Sequence, residues 1–299
     1  MTHDLDAALK GISGILVTPY DERGEIAPDK LAPILDRALI AGVHMPVVNG
    51  NTGEFYALTM DEACVMAREV VALVDGRAPV MAGVGRGIRD ACRLAEASVA
   101  AGAAGLMVHQ PPDPFVSPRG TVDYLRQIAA AAGDTPIMVY LRNDAIGTDM
   151  IRALCEVETV KGVKWATPNP VKLSEAKAAC DPSLTWVGGL AEVWAPAFYG
   201  AGARGFTSGL INIWPAQSVA IHAALEAGEF AQAHALIAAM KPFEDIRAQE
   251  LNGTNVTTVK AALQAMGQDC GPTRAPSAWP LTPEQHATMM TFLQAQTLA

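Results

Sequence analysis

Short apolar runs rich in β-branched residues alternate along this chain with longer, alanine-rich stretches of helical periodicity, and that alternation narrows the fold more than any other feature. The runs cover residues 12–17, 43–48, 79–82, 106–108, 137–140, 160–164, 185–187 and 204–207. A helical pattern at 29–40 stops before Gly42, and the next is announced by Thr59 and Glu62 in capping-box spacing. Others follow at 92–101, 121–131, 149–155, 173–179, 193–199 and 216–227. Strand-then-helix units of about 20 to 35 residues read as βα repeats of a parallel sheet. Eight of them within residues 1–228 predict an α/β protein whose sheet closes into a (β/α)8 TIM barrel rather than staying open and doubly wound. Beyond Gly228 the strand signal stops. Helical patterns at 230–249, 257–266 and 283–295 predict a C-terminal helical extension, residues 229–299, packed on the barrel.

Composition excludes several classes of function. Lys and Arg total 22 against 31 Asp and Glu, a net charge of −9 and a pI of about 5.1. Surfaces that grip nucleic-acid phosphates or anionic membranes carry the opposite sign, so neither partner is expected. No stretch reaches the ~18 unbroken apolar residues of a membrane span. Residues 1–10 are polar and acidic, unlike a signal peptide. The five cysteines, Cys64, Cys92, Cys155, Cys180 and Cys270, are scattered and never spaced as CxxC. Neither a disulfide framework nor a zinc ribbon fits that pattern, so buried, reduced thiols in a cytoplasmic protein are expected.

A barrel of this kind carries its active site at the C-terminal ends of its strands. The second run leads into Gly50-Asn51-Thr52-Gly53-Glu54, the fifth ends at Tyr140 and the sixth at Lys164. A lysine inside the barrel mouth is desolvated, which lowers its pKa from ~10.4. At that ordinary value about one amine in a thousand is neutral near pH 7.4. A fall of ~3, worth about 4 kcal/mol, frees most of it to attack a ketone. The plainer alternative is a surface lysine such as Lys161 or Lys172. Tyr140 offers a phenol that donates and accepts, fit to relay protons, or is only a strand-end aromatic. The turn at 50–54 presents backbone N–H groups and the Thr52 hydroxyl to a carboxylate, or is only a glycine turn.

Taken in order, these segments resemble the dihydrodipicolinate synthase/N-acetylneuraminate lyase (DapA-like) family of class I Schiff-base aldolases and dehydratases. The likeness covers nearly the whole chain. It runs from Leu16-Val17-Thr18-Pro19-Tyr20 through the 50–54 turn and Pro79-Val80-Met81-Ala82-Gly83-Val84-Gly85 to Val139-Tyr140 and Gly162-Val163-Lys164. Gly205-Phe206-Thr207-Ser208, Asn212, Val259-Lys260-Ala261-Ala262-Leu263, Gly267 and Arg274-Ala275-Pro276 complete it. The resemblance implies Lys164 as the Schiff-base lysine and Tyr140 as the proton shuttle. It also implies that the Gly50, Asn51 and Thr52 turn holds the carboxylate of a 2-oxo acid, with the backbone around Thr207 and Ser208 facing the same pocket. It further implies a homotetramer built as a dimer of dimers, with no organic cofactor and no catalytic metal, because the iminium is itself the electron sink.

Departures from the family pattern narrow the expected activity. Biosynthetic synthases resembling this chain pair two hydroxyl residues in the turn, where Asn51 here supplies an amide that cannot exchange protons as a hydroxyl does. Their tyrosine pair after the fourth strand is replaced around Pro111-Pro112-Asp113, and their arginine five residues after the catalytic tyrosine is Ala145. Tyr140-Leu141-Arg142-Asn143-Asp144-Ala145 instead looks like the branch that dehydrates 5-dehydro-4-deoxyglucarate and similar 2-keto-3-deoxy sugar acids. Arg142 is then a candidate for the distal hydroxyl or carboxylate, or else a rim partner of Asp144 or Asp149. The reading is a Schiff-base lyase on a 2-keto-3-deoxy sugar acid, dehydrating it or releasing pyruvate. Rivals are a 4-hydroxy-tetrahydrodipicolinate synthase-like or N-acetylneuraminate lyase-like aldolase, a metal-dependent aldolase using His109 and His44, and a catalytically retired 2-oxo-acid-binding protein. Nucleotide binding is disfavoured, because Gly83-Val84-Gly85-Arg86-Gly87 has neither GxGxxG spacing nor a P-loop lysine.

Overall fold

The computed structural model describes residues 4–276 and 278–298. Its strands are β1 (Ile12–Ile15), β2 (Met45–Val48), β3 (Met81–Val84), β4 (Gly105–His109), β5 (Ile137–Leu141), β6 (Val160–Trp165), β7 (Thr185–Gly188) and β8 (Phe206–Ser208). All pair in parallel, each with the next, and β8 returns to β1 to close the barrel. A short helix, α1 (Leu5–Leu9), precedes β1. The connecting helices are α2 (Ala32–Ala41), α3 (Met60–Val74), α4 (Ile88–Ala100), α5 (Pro118–Ala132), α6 (Thr148–Cys155), α7 (Pro170–Ala178) and α8 (Ala191–Gly200). After β8 come α9 (Pro215–Glu226), α10 (Phe230–Arg247), α11 (Gln249–Asn252), α12 (Asn255–Ala265) and α13 (Pro283–Ala295). The chain is therefore a (β/α)8 TIM barrel followed by C-terminal helices, of which α10 packs on α8, α9, α12 and α13.

Strand alternation sorts the core into two layers. Ile15, Met45, Val47, Met81, Met107, Met138, Tyr140 and Val187 fill the barrel interior, whereas Val163, Trp165 and Trp186 face outward into the helical shell. Methionine's flexible thioether suits the irregular space inside a small barrel. The capping box at Thr59 is present: its hydroxyl accepts from the Glu62 N–H at 3.2 Å, and the Glu62 carboxylate accepts from the Thr59 N–H at 2.7 Å.

Two local expectations are corrected. Residues 1–10 read only as a polar segment, yet α1 forms within them, capped by Asp4, which accepts from the Ala7 N–H at 3.2 Å. Its Leu5, Ala8 and Leu9, at helical spacing, close the interior at the N-terminal end of the barrel. The first strand stops at Ile15 rather than continuing to residue 17. The chain peels away there because side chains take over the hydrogen bonding: Asn212 accepts from the Val17 N–H at 3.2 Å, and the Thr18 hydroxyl donates to the Gly53 carbonyl at 2.7 Å.

Candidate active site

Register brings the functional side chains together. Tyr140 and Lys164 are direct partners across β5 and β6, so both project from the same level into the barrel mouth. The Lys164 Nζ lies 3.9 Å from the centre of the Tyr140 ring and 3.8 Å from the Met107 sulfur. Lys164 is 3% exposed and Tyr140 5%. A thioether is a weak acceptor and does little for an ammonium. Burial, reinforced by the Arg142 charge, pulls the lysine pKa down to about 7. Burial also pushes the Tyr140 phenol up to about 12, against the lowering influence of Arg142. The phenol stays protonated while the amine is poised.

The turn after β2 folds over the same centre. Gly50 accepts from the Gly53 N–H at 3.0 Å, and Asn51 accepts from the Glu54 N–H at 3.0 Å. The N–H groups of Asn51 and Thr52 take no partner among the described residues, which leaves them for an anionic ligand. The Asn51 amide donates to the Tyr140 hydroxyl oxygen at 3.0 Å, so the phenol proton is free to point elsewhere. The Asn51 Oδ1 is buried without a partner, an acceptor facing an unfilled need. A Cβ on Gly50 would lie 2.5 Å from an Ile15 methyl, so only glycine lets the turn sit this close to β1.

A cavity of about 560 Å3 collects these groups, within the range of small-molecule sites. Asn51, Thr52, Tyr140, Arg142, Lys164 and Thr207 line it. Two other sequence candidates do not. Gly50 sits behind the turn it shapes, and Ser208, next to Thr207 on β8, points to the opposite face. The Ser208 hydroxyl instead meets Ser218 at 3.1 Å and accepts from the Ile211 N–H. Arg142 forms no ion pair with either suggested carboxylate. Asp149 pairs with Arg152 at 3.3 Å, and Asp144 accepts from Asn169 at 3.3 Å. Gln110 fixes the loop that carries Arg142, accepting from the N–H groups of Arg142 and Asn143 at 2.8 and 2.9 Å.

Several residues escaped the sequence reading. The far wall of the cavity comes from α10 and beyond: Lys241, Glu244, Asp245, Arg247, Asn252 and Asn255. Arg247 is 4% exposed, pairs with Glu244 and donates to Asn255 at 2.8 Å. Behind β8, Glu192 is fully buried and accepts from Ser218 at 2.6 Å. Burial and the nearby Glu244 push its pKa up to about 7. These charges sit at positions that look like solvated helix faces, and the left-handed Glu250, Leu251 and Asn252, which kink the chain between α10 and α12, include no glycine to announce them.

The closing segment of the resemblance has a visible role. Lys260 pairs with buried Glu54 at 2.6 Å, and the Arg274 N–H donates to the same carboxylate at 2.7 Å. Both cations lie over the Tyr20 ring, at 4.1 and 4.2 Å, and Arg274 also pairs with Glu62 at 2.7 Å. Glu54 closes the 50–54 turn, so the C-terminal segment anchors the turn that carries Asn51 and Thr52.

The proposed histidine pair is not one site. His109 ends β4 beside Tyr140, whereas His44 accepts from the Ile12 N–H at 3.1 Å at the opposite end of the barrel. His109 is fully buried, stacks on Phe55 at 4.5 Å and bonds the Asn49 carbonyl at 2.9 Å, and burial pushes its pKa down to about 3. No group of three or more His, Cys, Asp and Glu able to hold a metal occurs among the described residues. No helix among them is long and apolar enough to cross a membrane. The thiols are also not uniformly buried: Cys270 is, the other four are half-buried, and none forms a disulfide.

Comparison with known proteins agrees with the geometry. Residues 8–296 match the model of the dihydrodipicolinate synthetase family. A probable 5-dehydro-4-deoxyglucarate dehydratase of Cereibacter sphaeroides is 30% identical over 300 residues, covering 97% of each chain. A DapA-like lyase of Halobacterium salinarum is 32% identical over 273 residues, covering 90% of this chain and 88% of that one. The crystal structure of dihydrodipicolinate synthase from Bacillus clausii superposes with a TM-score of 0.94 at 35% identity, covering 99% of this chain and 100% of that one. The chain is a lyase of the dihydrodipicolinate synthetase family.

Proposed function

We propose that the protein is a Schiff-base-forming lyase that acts on a 2-keto-3-deoxy sugar acid. The observation that carries this is the Lys164 amine, buried at the barrel mouth against the Tyr140 ring with its pKa lowered to about 7. In this reading the neutral amine attacks the C2 ketone, the carbinolamine loses water, and the iminium withdraws electrons from C2. The C3–H bonds become acidic as a result. Tyr140, whose hydroxyl is held by Asn51, moves protons on and off the reacting oxygens. The Asn51 and Thr52 N–H groups hold the C1 carboxylate, Thr207 lines the opposite side, and Arg142 takes a distal hydroxyl or carboxylate. Loss of the C4 hydroxyl gives dehydration, and cleavage of C3–C4 gives pyruvate. The names of the relatives at about 30% identity support dehydration of a sugar acid.

A second reading, a pyruvate aldolase of the synthase kind, is favoured by solved synthases at 35% and 36% identity. Mass spectrometry of products from 2-keto-3-deoxy pentonates, hexonates and glucarates separates the two. A dehydrated product supports the proposal, and turnover confined to pyruvate with an aldehyde supports the second reading. A protein that binds 2-oxo acids and turns none over is the retired binding protein. The homotetramer belongs to the same proposal. Phe115, 93% exposed, and Val171, 69% exposed, are apolar side chains left bare by the single chain, and sedimentation at four chain masses is the expected result.

A further inference from the structure

The proposed lyase chemistry leaves the outer part of its cavity without a role. Lys164, Tyr140, Asn51, Thr52 and Thr207 serve the first carbons of a 2-oxo acid, yet the cavity of about 560 Å3 continues to a wall from α10 and the segment after it. Four charged residues of α10 stand there as two ion pairs. Lys241 and Asp245 pair at 2.6 Å with both side chains more than half exposed, a solvated contact of small energy. Arg247 and Glu244 differ, because their side chains are only 5% and 11% exposed.

The Arg247 guanidinium is held from several sides. It pairs with Glu244 and donates to the Asn255 Oδ1 at 2.8 Å. It also lies against the backbone that follows β8, where a Cβ on Gly209 would come within 2.2 Å of a terminal nitrogen. Gly209 has φ −91° and ψ −19°, a conformation that alanine adopts as readily. The missing side chain therefore makes room for the arginine and is not required by the turn. The Arg247 Nε is buried and takes no partner among the described residues, which is rare for a buried N–H. A buried ion pair also adds little stability over apolar side chains of the same size. The fold alone does not account for this arginine.

We infer that Arg247 is a specificity-determining residue which, together with Glu244, binds the hydroxyl groups that the substrate chain carries beyond C4. The inference rests on the lyase reading above and sharpens its substrate class to polyhydroxy 2-oxo acids. A guanidinium beside a carboxylate presents donors next to acceptors, and each hydroxyl both donates and accepts. The pair is neutral as a whole, so a second carboxylate on the substrate gains little there and meets the Glu244 charge. Arg142, which forms no ion pair among the described residues, is left for such a group. A 2-oxo acid without hydroxyls reaches Lys164 and the Asn51–Thr52 turn but leaves the polar wall unmatched, and the site discriminates against it.

The test measures equilibrium binding to full-length Lys164→Met, which has no amine to form an imine at that position. Titration calorimetry compares a 2-keto-3-deoxyhexonate with 2-oxohexanoate, which has the same length, carboxylate and ketone but no hydroxyls. The sugar acid is expected to bind about tenfold more tightly or better. Adding Arg247→Gln and Glu244→Gln, which removes both charges together, should bring that ratio close to one. Gly209→Ala displaces the guanidinium while keeping both charges, so it should lower the same ratio, and it decides the matter where the charge-free variant does not fold. Undetectable binding of the sugar acid to Lys164→Met, equal affinities for the two acids, or a ratio that survives these changes overturns the assignment. Wild-type protein that forms no imine, with the ratio and its loss intact, defeats the lyase reading and leaves the role of Arg247 standing.

Discussion

At the scale of single residues, Lys164 links chemistry to stability. Its amine is lowered to about 7, so imine formation with pyruvate should rise as pH passes through about 7 and level off above. A stopped-flow pH profile checks this, and a rate still climbing towards pH 10 contradicts it. In the unfolded chain the same amine titrates near ~10.4. Between these values the unfolded state binds the extra proton, so this residue's contribution to stability grows as pH rises from about 7 to ~10. Lys164→Met should therefore raise Tm at neutral pH while abolishing activity, a trade measured by calorimetry and assay on one variant. Tyr140→Phe removes the proposed shuttle and the oxygen held by Asn51, and kcat should fall by ~10²–10⁴ with the fold retained by circular dichroism.

At the scale of elements, the turn after β2 depends on a distant segment. Glu54 sits in the left-handed region at φ 54°, next to the Asn51–Thr52 turn, and Lys260 of α12 neutralises it. Lys260→Met leaves that carboxylate buried and uncompensated, a loss of about 3–5 kcal/mol by chemical denaturation. Where the variant stays folded, the KM for the 2-oxo acid should rise more than kcat falls, because in the proposed function the displaced turn holds the substrate carboxylate. An unchanged KM and stability would show that the ion pair does neither job. This dependence was half legible in the sequence. Lys260 and Arg274 stood out in the closing segment through the resemblance, but nothing in their spacing pointed to Glu54, because the contact spans about two thirds of the chain. Similarly, Tyr140 and Lys164 were legible because each ends an apolar run, whereas the partners of the Ser208 hydroxyl, Ser218 and the Ile211 N–H, were not, since so short a strand fixes no register in the sequence.

At the scale of the whole molecule, eight βα units were readable because each repeats the same local pattern, and closure follows when each strand pairs with the next. The helix α1 was not, since five residues carry too little periodicity to stand out among acidic neighbours. Leu9, 1% exposed inside the barrel base, tests its weight: Leu9→Ala should cost ~2–5 kcal/mol of unfolding free energy. The outer wall of the cavity was hidden for another reason, because Arg247 and Asn255 converge only through the reversal at 250–252. The proposed function nevertheless rests on one nitrogen, the Lys164 amine. Borohydride reduction in the presence of pyruvate, followed by peptide mapping, tests it most directly. The account predicts a stable pyruvate-derived adduct confined to Lys164 and absent from Lys164→Met; an unmodified Lys164, or an adduct on Lys161 or Lys172 instead, contradicts it.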